Sequence, residues 1–184
     1  LVTAVLAVLL VLGPLFLSSY WVGLVTQMVI LAILAMSLDL LVGYTGLPSL
    51  GHVAFFGAAA YAVAVLSTGY RAGFWTSVAG GILVGTVLSA MFGLIVSHVR
   101  GVYFLMITLA IGQVLWGLAF RWASVTGGDN GLSGLTRPAP FGMDLGGATP
   151  FYYFTLAIAV VAAAAMTLLA ESALGALMRG TRDQ

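Results

Sequence analysis

The chain alternates long apolar runs with short polar turns. Six runs approach the roughly 20 residues that a helix needs to cross about 30 Å of hydrocarbon. Because backbone amides in hydrocarbon must be satisfied within the segment, and because no ten-residue alternation typical of a barrel is present, we predict that all six are helices. The predicted fold class is an all-α integral membrane protein, a polytopic helical bundle. The six runs are 1–17, 20–42, 52–67, 74–99, 102–122 and 151–170.

The composition agrees with this pattern. Apolar residues make up 62% of the chain and charged residues 6%, whereas soluble domains carry roughly 25% charged residues. A net charge of +1 offers no electrostatic field for nucleic acid. The chain has no cysteine, and neither His52 nor His98 has a second ligand at metal-binding spacing. We therefore expect a lipid-embedded protein without catalytic residues, metal or cofactor.

The first run could be either a membrane span or a cleaved signal peptide, and the last residues bear on whether the sequence is a fragment. The first run is short and is interrupted by Gly13 and Pro14, and no charged residues precede it. A membrane span is the favoured interpretation and a cleaved signal peptide the alternative. The sequence starts at Leu1 and stops at Gln184, just after the last apolar run. We expect a fragment that is truncated at its C-terminus.

Small residues recur every fourth position in the fourth run. Such a stripe lets helix backbones approach closely in lipid. Packing within this chain is the favoured interpretation, and an interface with another subunit is the alternative. The stripe consists of Gly81, Gly85, Ser89, Gly93 and Ser97.

The most unusual polar features lie around the end of the second run. Asp39 is a carboxylate in an apolar segment, which costs about 2.5–3.5 kcal/mol at helix centre, so it should face helices or water unless it lies near the membrane surface. Residues 43–52 contain three glycines and one proline, which break helix. Broken backbone at membrane depth is tolerated where it is buried or lines a cavity. A structural role is the favoured interpretation: a tight surface turn between the second and third runs, with His52 as a capping or interfacial residue.

The one long polar connection is 123–150, whose glycines exclude a stable helix. Three arginines on each predicted side give no orientation by charge. Gly131-Leu132-Ser133-Gly134 superficially resembles the serine motif of rhomboid intramembrane proteases, but both histidines precede Ser133. The residues contain no Gly-x-x-x-x-Gly-Lys-Ser/Thr loop, so if the protein is a pump, ATP must be handled by another subunit.

Three blocks together resemble one family, the branched-chain amino-acid ABC transporter permeases of the LivM type. Met36–Tyr61 is similar to the pattern LNLLxGYxGxxSLGHAAFFGxGAY, Arg100–Ala110 to RGxYFxxxTLA, and Thr126–Gly134 to TGGxxGLSG. The tail is similar to the start of the family's coupling segment, roughly SxxGRxLxAIRD. It departs from that pattern with Ala176 for Arg and Thr181 for Ile, and Asp39 stands where the family commonly has Asn.

The resemblance implies a single transmembrane permease domain over 1–184 that pairs with a second permease subunit. It also implies cytoplasmic ATP-binding subunits, an extracytoplasmic solute-binding protein, and a bacterial-type inner membrane. Residues 171–184 would then be cytoplasmic and 123–150 external. The implied site residues fall into three groups. They are Asp39, Ser49, Gly51 and His52 along the translocation path; Gly175, Arg179, Arg182 and Asp183 for ATPase coupling; and Gly127, Gly128, Asp129 and Asn130 for contact with the binding protein.

The implied function is ATP-driven import of branched-chain or other hydrophobic amino acids. Permeases for urea and short amides share these motifs and remain an alternative. A secondary transporter or channel is another alternative, but it would need charged residues across several helices, and only Asp39 lies inside one. An intramembrane protease would need a histidine beyond Gln184.

Overall fold

The computed structural model describes residues 2–99, 101–135, 137 and 139–182. These residues form helices and connecting loops without a strand, which confirms the all-α class. A π-helical turn, Leu41–Thr45, directly continues the second helix, and two short 3-10 turns are Gly128–Asn130 and Pro140–Gly142. The α-helices are α1 (Val2–Phe16), α2 (Ser19–Leu40), α3 (His52–Thr68), α4 (Phe74–Val96), α5 (Val102–Arg121), α6 (Ala123–Thr126), α7 (Ala148–Glu171) and α8 (Ala173–Arg182).

Each of the six predicted apolar runs forms a helix, but the helices differ in length. Within the part of the chain that the structure describes, four helices are long and apolar enough to cross a membrane: α2 with its π turn, α4, α5 and α7. The other two, α1 and α3, have 15 and 17 residues. At 1.5 Å per residue they extend only about 22 and 25 Å, less than the hydrocarbon thickness. The expected count of about six is therefore four long spans and two shorter apolar helices.

The chain folds into two compact units, each built from segments that are distant in sequence. The first contains Leu1–Ser37 and Arg137–Leu177. Its core consists of Tyr152, which is fully buried, with Val22 and Val29. These side chains come from α7 and α2, so the core of this unit is a helix–helix contact. Partly buried apolar residues surround it: Val25, Ala148, Tyr153, Leu156 and Ala159.

A proline inside α1 creates a backbone defect that α7 repairs. Pro14 has no N–H, so the carbonyl of Leu10, four residues earlier, loses its helical donor. The Tyr152 hydroxyl donates to this Leu10 carbonyl at 2.7 Å, and the Tyr153 hydroxyl donates to the Val11 carbonyl at 2.8 Å. An unsatisfied carbonyl is costly where no water is available. These two bonds therefore tie α1 to α7.

The second unit contains Leu38–Thr136 and Met178–Gln184. Within it α3 packs most extensively on α4. A Cβ at Gly81 would crowd Val63, and one at Gly85 would lie 3.3 Å from the Cβ of Ala59, so the first part of the small-residue stripe packs inside this chain. Gly93 has nothing within 4 Å of its Cβ position, and Ser97 is exposed. The stripe thus divides into a packed half and an open half.

We predict that Tyr152→Phe destabilises the protein through the orphaned Leu10 carbonyl. The expected loss in free energy of unfolding is about 1 kcal/mol. In a Pro14→Ala background the backbone N–H of residue 14 can bond Leu10 itself, so the same substitution should cost less. Thermal unfolding of the four purified forms in detergent measures this cycle. Tyr70→Phe, at a tyrosine that is 77% exposed, is the control. Equal losses in both backgrounds would contradict the repair.

Candidate functional site

The break between α2 and α3 starts later than the glycines suggest. The chain stays helical through Thr45 as a π turn, in which the Thr45 hydroxyl donates to the Leu41 carbonyl at 2.5 Å. Gly46 then adopts a left-handed conformation, with φ of 69°, and its N–H bonds the Val42 carbonyl at 3.0 Å. This closes the helix in the way that a C-terminal glycine does. The non-helical segment therefore covers 46–51, which we call the break.

The break is docked on the middle of α5. The Leu50 N–H donates to the Thr108 hydroxyl at 3.2 Å. A Cβ at Gly51 would overlap the Thr108 carbonyl oxygen, and a Cβ at Gly112 would lie 3.4 Å from the Gly51 Cα. Thr108 and Gly112 are the seventh and eleventh residues of a 20-residue helix, about 9–15 Å along its axis from the first residue. The break thus sits at the level of the central turns of α5.

The four predicted path residues occupy different environments around this break. Asp39 is exposed near the end of α2. Ser49 is only 9% exposed, and Gly51 is buried against α5. His52 is half-buried and is the first residue of α3, whose N-terminus has no side-chain cap. The structure therefore brings Ser49, Gly51 and His52 together at the break, while Asp39 stands on the exposed surface of the preceding helix.

An open cavity of about 1160 Å³ begins beside the break. Its walls are apolar side chains of α3, α4 and α5, and Leu50 of the break lines it. Tyr61 and Gln113 place polar groups among these walls, and Asp129 lines it beyond the end of α5. None of Asp39, Ser49, Gly51 or His52 lines this cavity. The cavity connects the level of the break with the loop that follows α5.

That loop is held to the end of α5 by Thr126. The Thr126 hydroxyl is buried, lies 2.5 Å from the Ala119 carbonyl oxygen, and accepts a hydrogen bond from the Gly128 N–H at 3.2 Å. Gly127 has a φ of 77°, and a Cβ there would overlap the carbonyl of Gly131. Only glycine fits this turn. The predicted contact residues that follow, Asp129 and Asn130, are both exposed.

Three of the predicted coupling residues, Gly175, Arg179 and Arg182, lie on α8. Gly175 is buried, because α8 turns back on the end of α7 so closely that a Cβ would overlap the Ala170 carbonyl. The guanidinium of Arg179 lies 5.3 Å from the centre of the Tyr44 ring in the π turn. The side chain of Arg182 and all of Asp183 fall outside the described residues.

Comparison with known proteins supplies the family. The sequence profile described as "Branched-chain amino acid transport system / permease component" matches residues 20–184. The chain belongs to this permease family. It is 33% identical over 144 residues to the high-affinity branched-chain amino acid transport system permease protein LivM of Salmonella typhimurium, covering 78% of this chain and 34% of that protein. No solved structure matches significantly.

A second relative gives the same result. The protein of the same name from Escherichia coli is 34% identical over 139 residues, covering 76% of this chain and 33% of the relative. The permease chain thus spans about a third of the length of the curated relatives it matches. Both relatives are named as permease proteins of a transport system, not as enzymes. The family and the apolar helices together show a multi-pass membrane transport protein.

Sequence reasoning missed several residues of this site. Thr108 and Gly112, which receive the break, lie on a different helix. Thr108 is part of the second motif, whereas Gly112 lies outside all the motifs. Gln113 carried a weak signal as the amide in an apolar helix. Tyr44 belongs to the first motif, but its contact with α8 depends on tertiary structure. Contacts between helices that are distant in sequence leave no local pattern.

We predict that Gly51→Ala disrupts the docking of the break, because the new methyl group would meet backbone atoms that cannot rotate away. A loss of about 2 kcal/mol or more in the free energy of unfolding is expected. Gly93→Ala, at an open helical position, should be neutral or slightly stabilising. Thermal unfolding of both variants in detergent tests the difference. Similar melting temperatures for the two variants would show that the break is not tightly docked.

Proposed function

We propose that this chain is the transmembrane permease subunit of an ATP-driven importer for branched-chain or other hydrophobic amino acids. It acts in a bacterial-type cytoplasmic membrane with a second permease subunit, cytoplasmic ATP-binding subunits and an extracytoplasmic solute-binding protein. Family membership supports transport of this class. This chain spans about a third of the length of its relatives. The activity and the partners of the whole transporter are therefore proposed.

The observation that carries the proposal is the continuity of one cavity. The cavity borders Gly128 and Asp129 in the loop that we assign to the binding protein, and it borders Leu50 in the break. A solute released at the loop would therefore travel inside this cavity as far as the central turns of α5. In this scheme the cavity is the outer part of the translocation path, and the break separates it from the cytoplasmic side.

The chemistry of the cavity suits a solute with an apolar side chain. Its walls are predominantly aliphatic and aromatic. Burying a side chain such as leucine or valine against apolar walls contributes about 1.5–3 kcal/mol. Asp129 at the loop end provides a carboxylate that would attract the ammonium group of an amino acid. Urea and short amides lack the large apolar group, so these walls favour hydrophobic amino acids over them.

The mechanism follows from two docked contacts. The break rests on Thr108, and α8 rests on the end of α7 at Gly175. When ATP-binding subunits close, they move α8, and the helices open the path alternately to each side. The chain contributes walls and hinges to this cycle and performs no covalent step. Asp39, exposed on α2, is available to a second permease subunit or to water at the edge of the path.

The assignment is tested by affinity purification of the full-length protein, tagged at its native locus and gently solubilised. We expect a second permease and a P-loop ATPase to co-purify in near-equal amounts. Uptake of leucine, urea and a short amide is then compared in a deletion strain, and leucine uptake should fall most. Isolation of the protein alone would contradict the importer assignment. A loss confined to urea would move the assignment to the alternative substrate class.

The role of the cavity is tested in the same uptake assay. Gly57 lines the cavity and has no atom within 4 Å of its Cβ position, so Gly57→Phe should fill the space without a clash. Uptake should fall by at least about tenfold, which is 1.4 kcal/mol in the barrier for passage. Gly93→Phe, at an open position that does not line the cavity, is the control. Normal uptake in Gly57→Phe would exclude this cavity from the path.

Two glycines of α8 provide a test of its coupling role and a matched control. Gly175→Ala should displace α8 from α7, whereas Gly180→Ala places a methyl group in open space. We expect ATP-driven uptake to fall about tenfold or more in the first variant and to be retained in the second. Membrane abundance of both variants is measured by immunoblot. Full uptake in Gly175→Ala at normal abundance would remove this contact from the coupling scheme.

A further inference from the structure

Arg179 of α8 is in direct contact with Tyr44 of the π turn. Its guanidinium carbon lies 5.3 Å from the centre of the tyrosine ring, within the about 6 Å over which a ring face attracts a cation. Tyr44 is half-buried and Arg179 is exposed. Both residues belong to the same compact unit of the chain. This side-chain pair therefore links α8 to the π turn that continues α2.

Tyr44 lies in an irregular part of the helical backbone of this unit. It belongs to a five-residue π turn, which is followed by the left-handed Gly46. Such turns occur mostly as single insertions in α-helices and are frequent at functional sites, since their geometry is less favourable than that of the α-helix. A pull on the Tyr44 ring would therefore act on a turn that can change shape, instead of on a regular helix.

The residues after this turn are fixed to α5 and lead directly into α3. Leu50 bonds the Thr108 hydroxyl, and Gly51 is packed on the Thr108 backbone. The next residue begins α3, and Val53 in its first turn lines the cavity. A displacement at Tyr44 therefore has a short covalent route to the cavity wall. Docking at Thr108 holds the break in the position described above.

We propose that Tyr44 is a positioning residue that transmits movement of α8, through Arg179, to the break and the start of α3. This inference rests on the proposed function, because α8 moves in this way only if an ATPase acts on it. Tyr44 touches no solute in this scheme. Its ring couples ATP hydrolysis to opening of the path, and its hydroxyl is not required.

The test uses the complete transporter reconstituted in proteoliposomes with its binding protein and radiolabelled leucine. Uptake and ATP hydrolysis are measured together, so that the ratio of solute imported to ATP hydrolysed is obtained. Tyr44→Leu and Arg179→Gln should each lower this ratio about two- to fivefold, the range expected for one exposed cation–ring contact. The double variant should be no worse than either single variant. Tyr44→Phe keeps the ring and should retain most of the ratio.

A matched pair elsewhere in the chain provides the control. Tyr70 and Arg71 lie in the turn between α3 and α4 and have no role in the proposed machinery, and Tyr70 is 77% exposed. Tyr70→Leu and Arg71→Gln should leave the ratio unchanged. An unchanged ratio in Tyr44→Leu would overturn the inference. So would a loss in Tyr44→Phe as large as in Tyr44→Leu, or losses that add in the double variant.

A second measurement keeps the inference testable if Tyr44→Leu fails to accumulate. The chain contains no cysteine, so Tyr44→Cys combined with Arg179→Cys introduces the only thiols in this segment. A short bifunctional thiol reagent should link them with a yield that changes when ATP is bound, and an unchanged yield would contradict the proposal. If the unmodified transporter shows no ATP-driven uptake, both this inference and the proposed function fail. If it imports leucine normally while the Tyr44 variants keep the ratio, only this inference fails.

Discussion

The structure depends on one constraint, which is that a backbone group in hydrocarbon must find a hydrogen-bond partner within the protein. Among the described residues, a proline inside α1 and the break between α2 and α3 each leave a backbone group that another helix satisfies. The Leu10 carbonyl left without a donor by Pro14 receives the Tyr152 hydroxyl, and the Leu50 N–H in the break donates to the Thr108 hydroxyl. In both cases the local defect becomes a specific contact between distant segments.

The break at the level of the central turns of α5 gives this arrangement its functional meaning. A regular helix would continue at this level, whereas the break brings Leu50 to the cavity wall and is followed by α3, which begins without a side-chain cap. The neighbouring cavity extends from there to the loop closed by Thr126. On the side proposed for coupling, the Arg179 guanidinium contacts the Tyr44 ring in the π turn that precedes the break. The elements proposed for solute entry and for coupling thus meet at one short segment.

The helices and their approximate ends could be predicted from the sequence, because apolar runs of this length leave few alternatives in lipid. The position of the break could be predicted to within a few residues from Gly43, Gly46, Pro48 and Gly51. Its true start could not, since the π turn is closed by backbone bonds that no residue pattern marks. Thr108 and Gly112 also escaped prediction, because the choice of partner helix depends on tertiary packing. The family resemblance was confirmed, and it rested on motifs that the structure places in the break and in the loop after α5.

The bond between Tyr152 and Leu10 also has a consequence for biogenesis. The two residues are 142 positions apart, so at about 5–20 residues per second the ribosome needs about 7–28 s to synthesise the interval. During that time α1 is made but its Leu10 carbonyl has no tyrosine to accept from. Until α7 is made, the Leu10 carbonyl has to be satisfied by water or by another partner. The native contact of α1 therefore forms only after a much later segment has been synthesised.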